Sequence, residues 1–145
     1  MDKQTIDHTL RATWQAVAKL YNEEAGKYGA TMAVAFTLLN IDKDGTPSTA
    51  LGPKMGMEAT SLSRTLKKME EQKLIRRQKN QEDGRSVLIF LTDLGIEMRN
   101  LSKEKVISFN ENIHKNLEAE KIAHFFEVSE TILDLIQQRK IFNKN

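Results

Sequence analysis

Between positions 60 and 68 the chain sets short hydroxyl donors beside long cations, Thr60, Ser61, Ser63, Arg64, Lys67 and Lys68, with no acid among them. Hydroxyls near the start of a helix can reach base edges in a DNA major groove. A guanidinium at Arg64 can make a two-pronged contact to guanine, and the two lysines can hold phosphates. Further on, Arg76, Arg77 and Lys79 precede Asp83-Gly84-Arg85. Asp-Gly is a strong two-residue turn signal, and an arginine beside it suits the negative potential of a narrow minor groove. The three cations before the turn add phosphate contacts. Each group also has a plainer reading. The first is then an ordinary solvated helix face, and the second a charged edge that resists strand-to-strand aggregation.

Such side chains work only if the surrounding elements aim them. Leu62, Leu66 and Met69 recur at helical spacing and predict an amphipathic helix over about 59–72, its apolar stripe turned to a core. A basic strand over 75–79, the Asp-Gly turn and the apolar strand 87–91 make a hairpin. Upstream, Thr46-Pro47 reads as the start of a short helix, with the hydroxyl as N-cap and proline at the first helical position. Gly52-Pro53 limits that helix, and Gly56 stands where a tight corner wants positive φ. Glu58 is a poor N-cap for the helix that follows. Thr92 with Asp93 behind it is a good helix start.

The outer segments are apolar beyond the needs of one small domain. Ile6, Leu10, Trp14, Val17 and Tyr21 mark one face of a first helix over about 5–26, and a buried second helix follows over 32–41. Two long C-terminal helices, about 93–117 and 118–139, are apolar on more than one face, and Ile141-Phe142 follows them. Burial against a second copy is the expected solution, since two-fold dimers dominate soluble oligomers. The fold class is therefore mainly α with a small β-hairpin wing, a winged helix-turn-helix. One domain over 1–145 is expected, with dimerisation helices at about 1–26 and 93–145 and a DNA-binding lobe at about 30–92.

The net charge of +2 is unevenly spread. Residues 46–92 hold nine Lys/Arg against five Asp/Glu, or +4, while 1–45 (five against six) and 93–145 (eight against nine) are each at −1. A basic middle third is the footprint of phosphate binding. The absence of cysteine excludes a disulfide framework, a thiol switch and Cys-ligated metal. His8, His114 and His124 are not at metal-ligand spacing, and no phosphate loop or nucleophile elbow occurs. The expectation is a non-enzyme without cofactor or metal. No apolar run is long enough to span a membrane, and Met1-Asp2-Lys3-Gln4 contains no apolar h-region, so the expected address is the cytoplasm. Trp14, Tyr21, Met32 and Phe36 could line a pocket for a small aromatic or lipophilic ligand, with plain core as the alternative.

The order of these pieces resembles the MarR (multiple antibiotic resistance regulator) family of winged-helix transcription factors over nearly the whole chain. Asp83-Gly84-Arg85 followed by Leu91-Thr92-Asp93-Leu94-Gly95 resembles that family's Asp-x-Arg wing tip and Leu-Thr-x-x-Gly helix start. Leu51 to Gly56, Ser61 to Arg64 and Glu70 to Ile75 fit its helix-turn-helix and strand entry. The resemblance implies a homodimer on a palindromic operator, repressing a neighbouring gene until a small molecule releases it. It would place Ser61, Ser63, Arg64 and Lys67 at the major groove and Arg85 in the minor groove, with Asp83 supporting Arg85. Pro53 and Glu58 depart from the pattern, and the lack of cysteine removes thiol-based oxidant sensing. The alternative reading is a winged-helix protein-interaction module without specific DNA binding.

Overall fold

The computed structural model describes residues 4–82 and 84–143. Their elements are α1 (Ile6–Gly26), α2 (Met32–Leu39), β1 (Thr46–Pro47), α3 (Ser48–Met55), α4 (Ala59–Glu71), β2 (Ile75–Lys79), β3 (Val87–Leu91), α5 (Asp93–Asn116) and α6 (Ala119–Gln137). The three strands form one antiparallel sheet in the order β1-β3-β2. This is the mainly helical winged-helix architecture expected from the sequence. The chain divides into two compact units, Met1–Glu104 and Lys105–Asn145.

In the first unit one core is built from Val34, Leu38, Ile41, Leu51, Leu62, Leu66, Met69, Leu74, Ile75 and Ile89. The stripe read at Leu62, Leu66 and Met69 is buried, as its spacing requires. Thr31 caps α2 by accepting the Val34 N–H at 3.2 Å. Gly56 takes φ 62° and closes α3, where its own N–H reaches the Pro53 carbonyl and the Met57 N–H reaches that of Gly52 at 3.0 Å. Those bonds satisfy carbonyls the helix end would otherwise orphan.

Two local expectations at α3 are corrected. Thr46 is not its N-cap. It pairs with Ile89 in β1, and its hydroxyl accepts the Asp42 N–H at 2.8 Å, so the helix starts at Ser48. The turn before it delivers the chain to the open edge of β3, and pairing there satisfies more backbone than a cap would. Gly45, at φ 92°, makes this possible, because a Cβ there would come within 2.7 Å of the Phe90 ring. The helix is short, at 8 residues, as Gly52-Pro53 led us to expect, but Pro53 does not interrupt it. α3 runs through Pro53 to Met55, losing the one bond that an N–H at position 53 would give the Thr49 carbonyl.

The wing connection is also longer than a two-residue turn. An Asp83-Gly84 turn of that kind would place Glu82 opposite Arg85. Instead the ladder pairs Lys79 with Val87 and Arg76 with Phe90. The connecting segment 80–86 is closed at its base by Asn80, whose N–H donates to the Ser86 carbonyl and whose side-chain amide donates to the Ser86 hydroxyl at 3.0 Å. The difference is one register step, which decides the sheet face of every wing side chain.

Where α4 turns into β2, Lys73 adopts φ 59°. The Leu74 carbonyl beyond it accepts the Thr92 N–H at 3.0 Å. The Thr92 hydroxyl donates to the Lys73 carbonyl at 2.6 Å and accepts the Gly95 N–H at 3.0 Å, confirming Thr92 as a helix start. Gly95 is buried against the Leu74 carbonyl so tightly that no side chain fits. The Leu-Thr-x-x-Gly stretch is thus a clasp holding the α4–β2 corner to the first turn of α5.

In the second unit α6 buries only Ile122 among its residues. Phe125 and Phe126 sit with ring centroids 5.8 Å apart and are more than half exposed, as are Leu133 and Ile136.

Candidate nucleic-acid interface

The second helix of the helix-turn-helix, α4, begins at Ala59 behind an extended Glu58 that makes no side-chain cap bond. Its first-turn amides are left to other partners. Thr60, Ser61, Ser63, Arg64, Lys67 and Lys68 are all exposed, on the side away from Leu62, Leu66 and Met69. Arg64, Lys67 and Lys68 form no ion pair with a described residue. Helical spacing brings Glu71 onto the same face one turn beyond Lys67 and Lys68, so the acid-free row ends there.

The sheet sorts the wing cations by face. Arg77 and Lys79 alternate with Arg76 and Gln78 along β2. Arg77 shares its face with buried Ile75, and its Nε lies 3.2 Å from the Glu70 carboxylate on α4. Arg76, on the other face, places its guanidinium 4.4 Å from the Phe90 ring centroid and donates to the Gln78 side chain at 3.2 Å. Both guanidiniums therefore have partners within the fold. Neither partnership was legible in the sequence, because both depend on the hairpin register. Lys79 is exposed, as is Arg85 in the wing loop. Asp83, expected to support Arg85, lies outside the described residues.

The four residues read as a ligand pocket separate into two groups. Trp14 is 53% exposed. Tyr21 and Phe36 pack edge to face with centroids 5.3 Å apart, and Met32 is half-buried beside the α2 start. Burial pushes the Tyr21 phenol above its ordinary pKa. An open cleft of about 300 Å³ does occur, but Tyr28, Gly29, Ala30, Gln72, Leu74, Leu94 and Met98 line it. Among the described residues no group of acids and histidines is arranged to hold a metal, and no helix is long and apolar enough to cross a membrane.

Residues 35–87, which run from α2 through the helix-turn-helix to the start of β3, match the MarR family model. The organic hydroperoxide resistance transcriptional regulator of Bacillus subtilis (strain 168) is 33% identical over 99 residues, covering 68% of this chain and 65% of that relative's length. Among solved structures, the S. aureus MepR–DNA complex superposes with a TM-score of 0.83 at 18% identity, over 90% of this chain and 98% of that one. The PcaV transcriptional regulator of Streptomyces coelicolor, in complex with its natural ligand, gives 0.76 at 21% identity, over 92% and 96%. At such identities the structural likenesses speak for the fold.

Proposed function

We propose that this chain, which belongs to the MarR family of winged-helix proteins, is a sequence-specific DNA-binding transcriptional regulator, acting in the cytoplasm as a homodimeric repressor that a small molecule releases. The observation that carries this reading is the exposed α4 row. Arg64, Lys67 and Lys68 have no ion-pair partner among the described residues, and Thr60, Ser61 and Ser63 lie on the same helix. A solvated helix of ordinary purpose tends to interleave acids with its bases. This one withholds them until Glu70.

In this mechanism α4 enters the major groove. Thr60, Ser61 and Ser63 reach base edges or nearby phosphates, Arg64 reads guanine, and Lys67 and Lys68 grip the backbone. The uncapped first turn adds N–H groups and the positive end of the helix dipole to the same approach. Arg85 enters the flanking minor groove from the wing. Arg76 contributes positive potential, and the guanidiniums of Arg76 and Arg77 both brace the wing beside the DNA. The domain layout follows, with residues 30–92 as the DNA-binding lobe and 1–26 and 93–145 supplying dimerisation helices. Two copies would read half-sites about one helical turn apart on a palindrome. Release would not involve thiol oxidation, because the chain has no cysteine. A small aromatic or lipophilic ligand is the proposed effector, with Trp14, Tyr21, Met32 and Phe36 the residues proposed to meet it.

The test is fluorescence anisotropy on the upstream DNA of its own gene and on a scrambled duplex, over a salt series. Selective binding that weakens steeply with salt supports a regulator contacting several phosphates. Equal, weak binding to both duplexes would instead favour a winged helix that docks proteins.

A further inference from the structure

Resting on the DNA-binding reading above, we propose that Glu70 tunes DNA affinity and its salt dependence, holding the wing arginine Arg77 off the phosphates. Ser63, Lys67 and Glu70 follow one another at steps of four and three along α4, so they share one edge of the helix. Glu70 thus continues the row that presents Lys67. Its carboxylate reaches across to Arg77 Nε at 3.2 Å. Arg77 cannot slide away along the sheet, because its strand is fixed by buried Ile75 on one side and by pairing with buried Ile89 across the ladder.

The stability gained is small. The two side chains are 36% and 48% exposed, and solvent screens pairs of that kind. The larger consequence is where the charge goes. A cation that meets a phosphate releases a condensed counterion and steepens the salt dependence of binding by about one. A cation already neutralised by a carboxylate does not. Phosphate contacts carry no sequence information, so an arginine kept from the backbone lowers affinity for every duplex alike. The preference between duplexes, which rests on α4 at the bases, is left as it was. Arg76 is occupied in a comparable way by Phe90 and Gln78. Two of the three cations on β2 are thereby engaged inside the fold.

The experiment measures binding to operator and scrambled duplexes across a salt series for wild type, Glu70→Gln, Arg77→Gln and the double variant. For Glu70→Gln, the salt slope should steepen by about one per protomer, and affinity for both duplexes should rise by roughly eightfold per protomer at 0.1 M salt. The ratio of operator to scrambled affinity should stay near that of wild type. Arg77→Gln should leave the slope near that of wild type, and the double variant should match Arg77→Gln. Thermal unfolding of all four confirms that each is folded. An unchanged slope in Glu70→Gln overturns the proposal, as does a slope shallower by one in Arg77→Gln, which would make Arg77 a direct phosphate contact. A steeper slope in the double variant than in Arg77→Gln also overturns it, since Glu70 would then act by its own charge alone. Wild type that binds neither duplex overturns the DNA-binding reading itself. Selective wild-type binding with an unresponsive Glu70→Gln overturns only the role of Glu70.

Discussion

The winged-helix lobe and the second compact unit spend their apolar residues in opposite ways. Between Val34 and Ile89 the lobe seals ten hydrophobic side chains into one cluster, and from Thr60 to Lys68 the exposed face of α4 carries hydroxyls and cations. In α6, Ile122 is buried, while Phe125, Phe126, Val128, Leu133 and Ile136 are all more than half exposed. A lobe that satisfies itself can offer a polar surface to a polar partner. A helix that exposes this much apolar surface calls for a partner, and the partner we propose is a second copy.

The largest expected effect breaks the self-sufficient side. Leu38 is fully buried in α2, and Leu38→Ala should cost about 2–5 kcal/mol of unfolding free energy, through lost transfer energy plus a cavity. Denaturant titration measures it, and a loss under about 1 kcal/mol would show that the lobe repacks more freely than its burial suggests. The opposite behaviour is expected in α6. Phe125→Ser with Phe126→Ser should leave the lobe's unfolding nearly unchanged but weaken self-association by about 2 kcal/mol or more per residue. Sedimentation equilibrium measures this directly. A dimer that survives the double change would move the interface away from this face of α6.

The same contrast explains what the sequence made legible. Leu62, Leu66 and Met69 could be read because three positions on one helix share one environment. Gly56 and Thr92 could be read because each meets a local backbone requirement, a positive φ and an N-cap. Thr46 misled for the converse reason. A hydroxyl before proline is a good cap locally, and only the distant edge of β3 turns it into a strand residue. The engagements of Arg76 and Arg77 lay deeper still. Each depends on a register that the wing's longer connection shifts by one step from an Asp-Gly turn, and on partners that the chain brings back from Phe90 or across from Glu70. The overexposed faces of α6 were visible as an excess of apolar residues.

Within the lobe the comparison sharpens between cations without an internal partner and those with one. Arg64→Ala should weaken operator binding by about 1–3 kcal/mol per half-site and relax the preference at one base position. Arg76→Ala should cost about 0.5–1 kcal/mol of lobe stability, the range of an exposed cation–π contact, and leave base preference intact. Competition binding with single-base operator variants, run beside thermal unfolding, separates the two. Equal loss of selectivity in both would return Arg76 to the reading surface.

The smallest effect concerns the clasp at Thr92, where the lobe hands the chain to α5. Its hydroxyl serves two carriers at once, donating to the Lys73 carbonyl at 2.6 Å and accepting the Gly95 N–H at 3.0 Å. Thr92→Val keeps the shape and removes both bonds, so it should cost about 1 kcal/mol, in the usual range for loss of an N-cap. Thr92→Ser keeps the oxygen and should recover most of that loss. Lys73 is in the left-handed region with its carbonyl tied to this hydroxyl, so amide exchange should quicken in Thr92→Val at the α4–β2 corner and in the first turn of α5. It should stay unchanged in α6. Faster exchange throughout α6 would mean that the second unit depends on this corner for its order, and the contrast between a self-sufficient lobe and a partner-dependent helix would have to be redrawn at Thr92.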